Sequence, residues 1–69
     1  MTSSEKAFVL DIHNKLNRGD SVEDIVNIVS QSKHPDKKYI LALLEGVQRY
    51  GLSVGEVCTL LRRLLVCAG

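Results

Sequence analysis

Helix-capping signals recur along this chain at intervals that leave room only for short helices. The spans Thr2-x-x-Glu5 and Ser53-x-x-Glu56 have the form of capping boxes, in which a hydroxyl accepts from a backbone amide and the glutamate accepts from the cap amide. Gly19 suits the left-handed position that ends a helix. Apolar residues between these signals recur every three or four positions, which is the period of an amphipathic helix. The pattern therefore predicts an all-α fold.

The remaining helix boundaries are predicted from an acidic turn and from the one proline. Asp20-x-x-Glu23, or Ser21-x-x-Asp24 one residue later, is expected to cap a second helix. Pro35 lacks an amide hydrogen and is favoured at a first helical position, so a third helix is predicted to start there. The predicted helices span residues 4–18, 22–32, 35–50 and 54–66 of a single helical domain that covers residues 1–69.

A faint internal repeat suggests how these helices pair. The pattern Gly-x-Ser-Val that starts at Gly19 returns at Gly51, and in both places a short apolar stripe follows. The repeat predicts two stacked helical hairpins in one compact bundle. Any short connection between two amphipathic helices would also select these residues, so a duplication is not required.

The length of the chain predicts that it assembles with a second copy. A chain of 69 residues buries only about 60% of its unfolded surface, which leaves little stability unless another subunit contributes. The fourth predicted helix is apolar on most sides, so it is either central in a monomer or covered by a partner. We expect a homodimer formed through the third and fourth helices. The predicted interface residues are Tyr39, Leu41, Cys58, Leu61 and Leu65.

No catalytic, cofactor or metal site is predicted. Cys58 and Cys67 are nine residues apart on one helix, so they point in opposite directions and can neither bond to each other nor share a metal. Cys58 is expected to be a small buried residue and Cys67 an exposed thiol. His13 is interpreted as a partly covered boundary residue, and His34 as a cap for the third helix. Without a nucleophile motif or a phosphate-binding glycine loop, the chain is expected not to be an enzyme.

One segment suggests contact with DNA. Gly51 is followed by an apolar residue, a serine cap and two apolar anchors, Val57 and Leu60, while Val47 stands four positions before the glycine. This pattern, over residues 43–60, resembles the core of a DNA-binding helix-turn-helix. The resemblance implies that the fourth helix would enter the major groove. A glycine turn between two packed helices produces the same spacing without any DNA contact.

The charges are balanced overall but unevenly distributed. The formal net charge of +1 comes from nine Lys and Arg residues against eight Asp and Glu residues, which by itself predicts no nucleic-acid partner. Residues 33–69 carry six of these cations against three acids, whereas residues 1–32 carry three against five. If the start of the third helix lies near the end of the fourth, their cations would form a basic surface; a solvated charged face is the alternative. The predicted nucleic-acid contacts are Lys33, Lys37, Lys38, Thr59, Arg62 and Arg63.

Two functions are compatible with these features. The leading hypothesis is a small cytoplasmic regulator that binds itself and a partner protein of unknown identity, with the acidic residues Asp20, Glu23 and Asp24 as one charged rim. The alternative is a regulator that binds duplex DNA or RNA through residues 43–60 and the basic surface. No run approaches the roughly 18 apolar residues that a membrane span needs, so no membrane partner is expected.

Overall fold

A computed structural model describes residues 1–67, and these residues form four α-helices. Helix α1 spans Ser3–Arg18, α2 spans Val22–Ser30, α3 spans Lys37–Arg49 and α4 spans Val54–Cys67. They pack into a body of 30 × 23 × 20 Å. The predicted all-α bundle of four short helices is therefore confirmed. Over the described part of the chain, none of these helices combines the length and apolarity that a membrane crossing requires.

The capping box predicted for α1 is complete, and one of the two hydrogen bonds predicted at the start of α4 is present. Thr2 Oγ1 accepts from the Glu5 amide at 3.1 Å, and Glu5 Oε1 accepts from the Thr2 amide at 2.8 Å, which completes a capping box. At the start of α4, Ser53 Oγ accepts from the Glu56 amide at 3.1 Å. These side chains bond amides that have no partner inside the helix, so each one fixes where its helix begins.

Helix α1 ends at the predicted glycine, but the predicted cap of α2 is wrong. Gly19 has φ +92°, and the amide of Asp20 donates to the carbonyl of Lys15 at 3.0 Å, as in a Schellman motif. The carboxylate of Asp20 then accepts from Nε and Nη2 of Arg18, at 3.0 and 2.6 Å, and is not available to α2. Ser21 occupies the N-cap position of α2 without a side-chain cap hydrogen bond.

Helix α3 starts two residues later than Pro35, where it was predicted to begin. Pro35 and Asp36 form a turn, and the Asp36 amide donates to Nδ1 of His34 at 3.0 Å. The Lys37 amide donates to the His34 carbonyl at 3.1 Å. The histidine therefore does not cap α3 as predicted; it bonds the amide of Asp36, which precedes the helix.

The core draws on all four helices, and the strongest packing is between the first and the last. Helix α1 packs most extensively against α4, and α2 against α3, while α3 with α4 and α1 with α2 touch less extensively. The α1–α2 and α3–α4 hairpins are thus the weaker pairings. The buried apolar residues are Val9, Ile12, Leu16, Ile25, Val29, Ile40, Leu43, Leu44, Val57, Cys58 and Leu61.

The turn between α3 and α4 depends on two glycines. Gly51 has φ +72°, and the Leu52 amide donates to the Gly46 carbonyl at 3.0 Å. A Cβ placed on Gly46 would lie 3.0 Å from Cδ2 of Leu52. Leu52 therefore folds back closely onto α3 at Gly46, one residue before Val47.

Candidate interaction surfaces

Two of the predicted interface residues lie inside the monomer. Leu61 is 0% exposed and Cys58 is 7% exposed, and both belong to the core. The Cys58 thiol lies 3.9 Å from the backbone oxygen of His13, and burial raises its pKa although Arg62 acts weakly in the opposite direction. Neither residue can contact a partner while this fold is intact, so both are removed from the predicted interface.

The other three predicted interface residues are at least partly accessible. Tyr39 is 43% exposed. Leu65 is partly buried and packs on the core. Leu41 is also partly buried and lines an open groove of about 300 Å³ between α2 and α3, with Val26 and Glu45 among its other walls. The interface residues predicted on α3 are therefore accessible, whereas two of the three predicted on α4 are buried.

A second tyrosine, not predicted as an interface residue, is more exposed than the first. Tyr50, which follows the last residue of α3, is 78% exposed. It stands eleven residues after Tyr39, which is about three turns of an α-helix, so the helical period predicts that the two residues lie on the same side of α3. Ala42, exposed, lies between them on that side. We call Tyr39, Ala42 and Tyr50 the tyrosine face. The eleven-residue spacing of the two tyrosines is the feature of the sequence that indicates it.

The predicted basic surface is divided between two places. Lys33 lines a surface cavity of about 200 Å³ together with Glu5 in the first turn of α1. Arg62 instead lies beside His13, eight residues further along α1, which corresponds to about 12 Å. Lys33 and Arg62 therefore adjoin different turns of α1.

The cations predicted to contact nucleic acid are not those that form ion pairs within residues 1–67. Within residues 1–67, the ion pairs join Lys15 to Asp11, Arg18 to Asp20, and Arg49 to Glu45. None of the predicted nucleic-acid contacts takes part in one of them. Those predicted contacts are Lys33, Lys37, Lys38, Thr59, Arg62 and Arg63, and all are exposed except Lys37, which is partly buried.

The outer side of α4 offers little for reading DNA bases. Thr59 Oγ1 donates to the Gly55 carbonyl within the helix at 3.0 Å. Thr59 and Arg63 share a shallow pocket of about 250 Å³ with Glu56 and Leu60. The acidic side chain of Glu56 would repel phosphates at the position where the helix-turn-helix resemblance places DNA.

At the acidic rim, one carboxylate is held by a cation. The Arg18 guanidinium hydrogen-bonds Asp20 and holds the pKa of that carboxyl below its ordinary value. Glu23 and Asp24 are exposed in the first turn of α2. Their negative charge lies at the helix N-terminus, where it is favourable to the helix dipole, so these residues also have a local structural role.

His34 joins the α2–α3 connection to the start of α1. Its Nε2 lies 3.0 Å from the backbone oxygen of Glu5, and its Nδ1 lies 3.0 Å from the Asp36 amide nitrogen. The ring stacks on Phe8 with centroids 5.4 Å apart, and the residue is 9% exposed. The carbonyl only accepts and the amide only donates, so the neutral ring carries its proton on Nε2.

His13 makes the corresponding contact between α1 and α4, and it is buried rather than at the boundary as predicted. The residue is 7% exposed, and Arg62 Nε donates to its Nε2 at 3.0 Å. Its Nδ1 lies 3.3 Å from Oδ1 of Asn14, so the proton of the neutral ring is on Nδ1. Sequence reasoning missed this contact because the two partners are 49 residues apart.

The described residues contain no group of three His, Cys, Asp or Glu side chains placed to hold a metal ion. Comparison of the chain with protein-family models, curated proteins and solved structures finds no match.

Proposed function

We propose that this protein is a non-enzymatic regulatory module that binds a second copy of itself through the tyrosine face and a partner protein through its exposed charged residues. The observation that supports this most strongly is the exposure of Tyr39 and Tyr50, at 43% and 78%, on one side of a helix whose other large apolar residues are covered or partly covered. Tyrosine is enriched at protein interfaces because its ring buries much apolar area and its hydroxyl still finds a hydrogen-bond partner.

A second copy of the chain is the occupant that suits this face. A twofold axis across α3 makes the two copies of this helix antiparallel. A residue near the start of α3 in one subunit then contacts a residue near its end in the other, and the contact occurs twice. Tyr39 would pack near the partner's Tyr50, with the small side chain of Ala42 allowing a close approach. The added burial also offsets the small core that a chain of this length can build.

The test is a pair of variants compared by sedimentation equilibrium. Tyr50→Glu places a charge in the proposed interface and should reduce the mass from twice 7.6 kDa to 7.6 kDa. Leu10→Glu is the matched control, because Leu10 is 49% exposed on α1 and lies outside the tyrosine face. If both variants kept the mass of the wild type, or if both lost it equally, the tyrosine face would not be the interface.

Nucleic-acid binding is the second candidate, and one observation favours it. Lys33, Lys37 and Lys38 lie within six positions and form no ion pair with any residue in the range 1–67. Cations without acidic partners can bind phosphates and release counterions, with an affinity that falls steeply as salt rises. This candidate uses the lysines near the start of α3 rather than the helix-turn-helix segment.

The second candidate is tested by fluorescence anisotropy with pooled DNA and RNA duplexes. Lys37→Ala and Lys38→Ala should each weaken binding and flatten its salt dependence. Lys15→Ala is the control, since Lys15 already pairs with Asp11. Absence of binding at low salt, or equal effects of all three changes, would exclude this function and leave the protein-binding proposal.

The proposed module acts inside the cell, in the cytoplasm. Its two cysteines, Cys58 and Cys67, are both free thiols, and reduced thiols are typical of cytoplasmic proteins.

A further inference from the structure

Two histidines connect α1 to the rest of the bundle, and both use a ring nitrogen as an acceptor. His34, in the α2–α3 connection, accepts from the Asp36 amide and donates to the Glu5 carbonyl in the first turn of α1. His13, in the middle of α1, accepts from Arg62 of α4. Each contact requires a neutral imidazole, because a protonated ring has two N–H donors and no acceptor.

We infer that His13 and His34 hold α1 in the bundle through acid-sensitive hydrogen bonds, which we call the fastening of α1. Protonation of the two rings releases α1 from the other three helices. Protonation of His13 would place an imidazolium 3.0 Å from the Arg62 guanidinium, at a site that is 93% shielded from solvent. Protonation of His34 would place a proton on Nδ1, so that two N–H donors, one from the ring and one from the Asp36 amide, would face each other. Both contacts are intact while the rings are neutral and are lost when the rings are protonated, because a protonated ring has no accepting nitrogen.

The charges around His13 reinforce this response. From α4, the charged group that faces the ring is Arg62, and the Cys58 thiol contacts only the backbone oxygen of His13. On α1 itself, Asp11 and Lys15 form an ion pair with each other. Among residues 1–67, the side-chain hydrogen-bond partners of the ring are Arg62 and the uncharged Asn14, so a positive charge on the ring would face a cation.

The charges around His34 nearly cancel. Glu5 faces the ring through its backbone oxygen, while its carboxylate is engaged in the capping box of α1. Asp36 lies on the ring's own connection, with Lys33 and Lys37 on either side of it in sequence. Two acids and two lysines leave little net charge, so the loss of the Nδ1 acceptor determines the outcome at this site.

Release of α1 would uncover a second apolar surface, separate from the tyrosine face. The buried side of α1 carries Val9, Ile12 and Leu16, and α4 contributes Val57 and Leu61 to the same core. Helix α1 packs more extensively on α4 than on any other helix, so its loss would expose mainly α4. A drop in pH would thus expose a core face that is covered in the intact bundle.

The experiment is amide hydrogen exchange of the full chain between pH 8 and pH 5, with rates corrected for the intrinsic pH dependence. We expect protection in α1 to fall about tenfold more than protection in α2 and α3. The variants His13→Gln and His34→Asn keep an amide oxygen near the accepting nitrogen and do not titrate. In the double variant, the difference between α1 and the α2–α3 pair should not change with pH.

Three results would overturn the inference. The first is an equal loss of protection in all four helices of the wild type, and the second is an unchanged pH response in the double variant. The third does not depend on the variants: NMR of the wild-type rings at pH 8 should find the His13 proton on Nδ1 and the His34 proton on Nε2. The opposite tautomer at either ring would rule out the fastening at that residue.

Discussion

Arg62 donates a hydrogen bond from Nε to Nε2 of His13, at 3.0 Å, across the contact between α1 and α4. The sequence predicted Arg62 as a nucleic-acid contact and His13 as a boundary residue, yet each is the polar partner of the other. The exposed guanidinium of Arg62 thus supplies the hydrogen bond that the buried ring nitrogen of His13 needs. Removal of Arg62 is therefore expected to change the stability of the fold, whatever its effect on a ligand.

Replacement of Arg62 should therefore destabilise the protein. Arg62→Ala leaves the accepting nitrogen of His13 without its donor, and we expect the free energy of unfolding to fall by about 1–2 kcal/mol at pH 8. Arg63→Ala is the matched control, because Arg63 is the neighbouring exposed arginine of α4; its effect should stay within about 0.5 kcal/mol. Urea unfolding measures both, and equal stabilities of the two variants would contradict the role given to Arg62.

Leu61 should behave as a core residue. Its side chain is 0% exposed, so Leu61→Ala should lower the free energy of unfolding by about 2–5 kcal/mol. Leu10→Ala, at a position that is 49% exposed, should cost much less. Thermal unfolding followed by circular dichroism compares them. A small effect at Leu61 would place it at a surface, as the sequence-based interface prediction had it.

Two glycines near the start of α4 should respond in opposite directions to alanine. Gly51 has φ +72°, where a Cβ is strained, so Gly51→Ala should destabilise the protein by about 1–2 kcal/mol. At Gly55, the nearest atom to an added Cβ is Ser53 Oγ at 3.9 Å, which is an ordinary contact. Gly55→Ala should therefore stabilise the protein by up to about 1 kcal/mol. Chemical denaturation of both variants checks the turn, and an effect of the same sign would contradict its geometry.

The two cysteines should react with thiol reagents at very different rates. Cys58 is buried and its thiol pKa is raised by burial, so it holds little thiolate, whereas Cys67 is exposed. At pH 8 we expect one thiol per chain to react quickly and the second only after denaturant is added. A Cys67→Ser variant should lose the fast phase. A fast phase that persisted in this variant would show that Cys58 is accessible.

The sequence was sufficient for the features that depend on neighbouring residues. The capping box of Thr2 and Glu5 joins residues three positions apart, and Gly19 ends α1 through backbone bonds within the same turn. Such local signals predicted four helices with bounds close to those observed. The exception is the cap of α2, because the Asp20 carboxylate bonds Arg18 instead, and the spacing of possible caps does not indicate that alternative partner.

The contacts that organise the candidate sites could not be predicted in this way. His34 bonds a carbonyl 29 positions away, and His13 bonds Arg62 across 49 positions. Helix α4 is apolar on most sides, so the sequence left open which side is internal; the structure buries Leu61 and Cys58. Only the packing of α1 against α4 decides that choice.

Self-association of the chain is measured by sedimentation equilibrium of the wild type at pH 8 over a hundredfold range of concentration. We expect a mass that rises with concentration toward twice 7.6 kDa and no further, because an interface related by a twofold axis closes on itself. A mass that stayed at 7.6 kDa up to the highest concentration, or one that grew without limit, would contradict it.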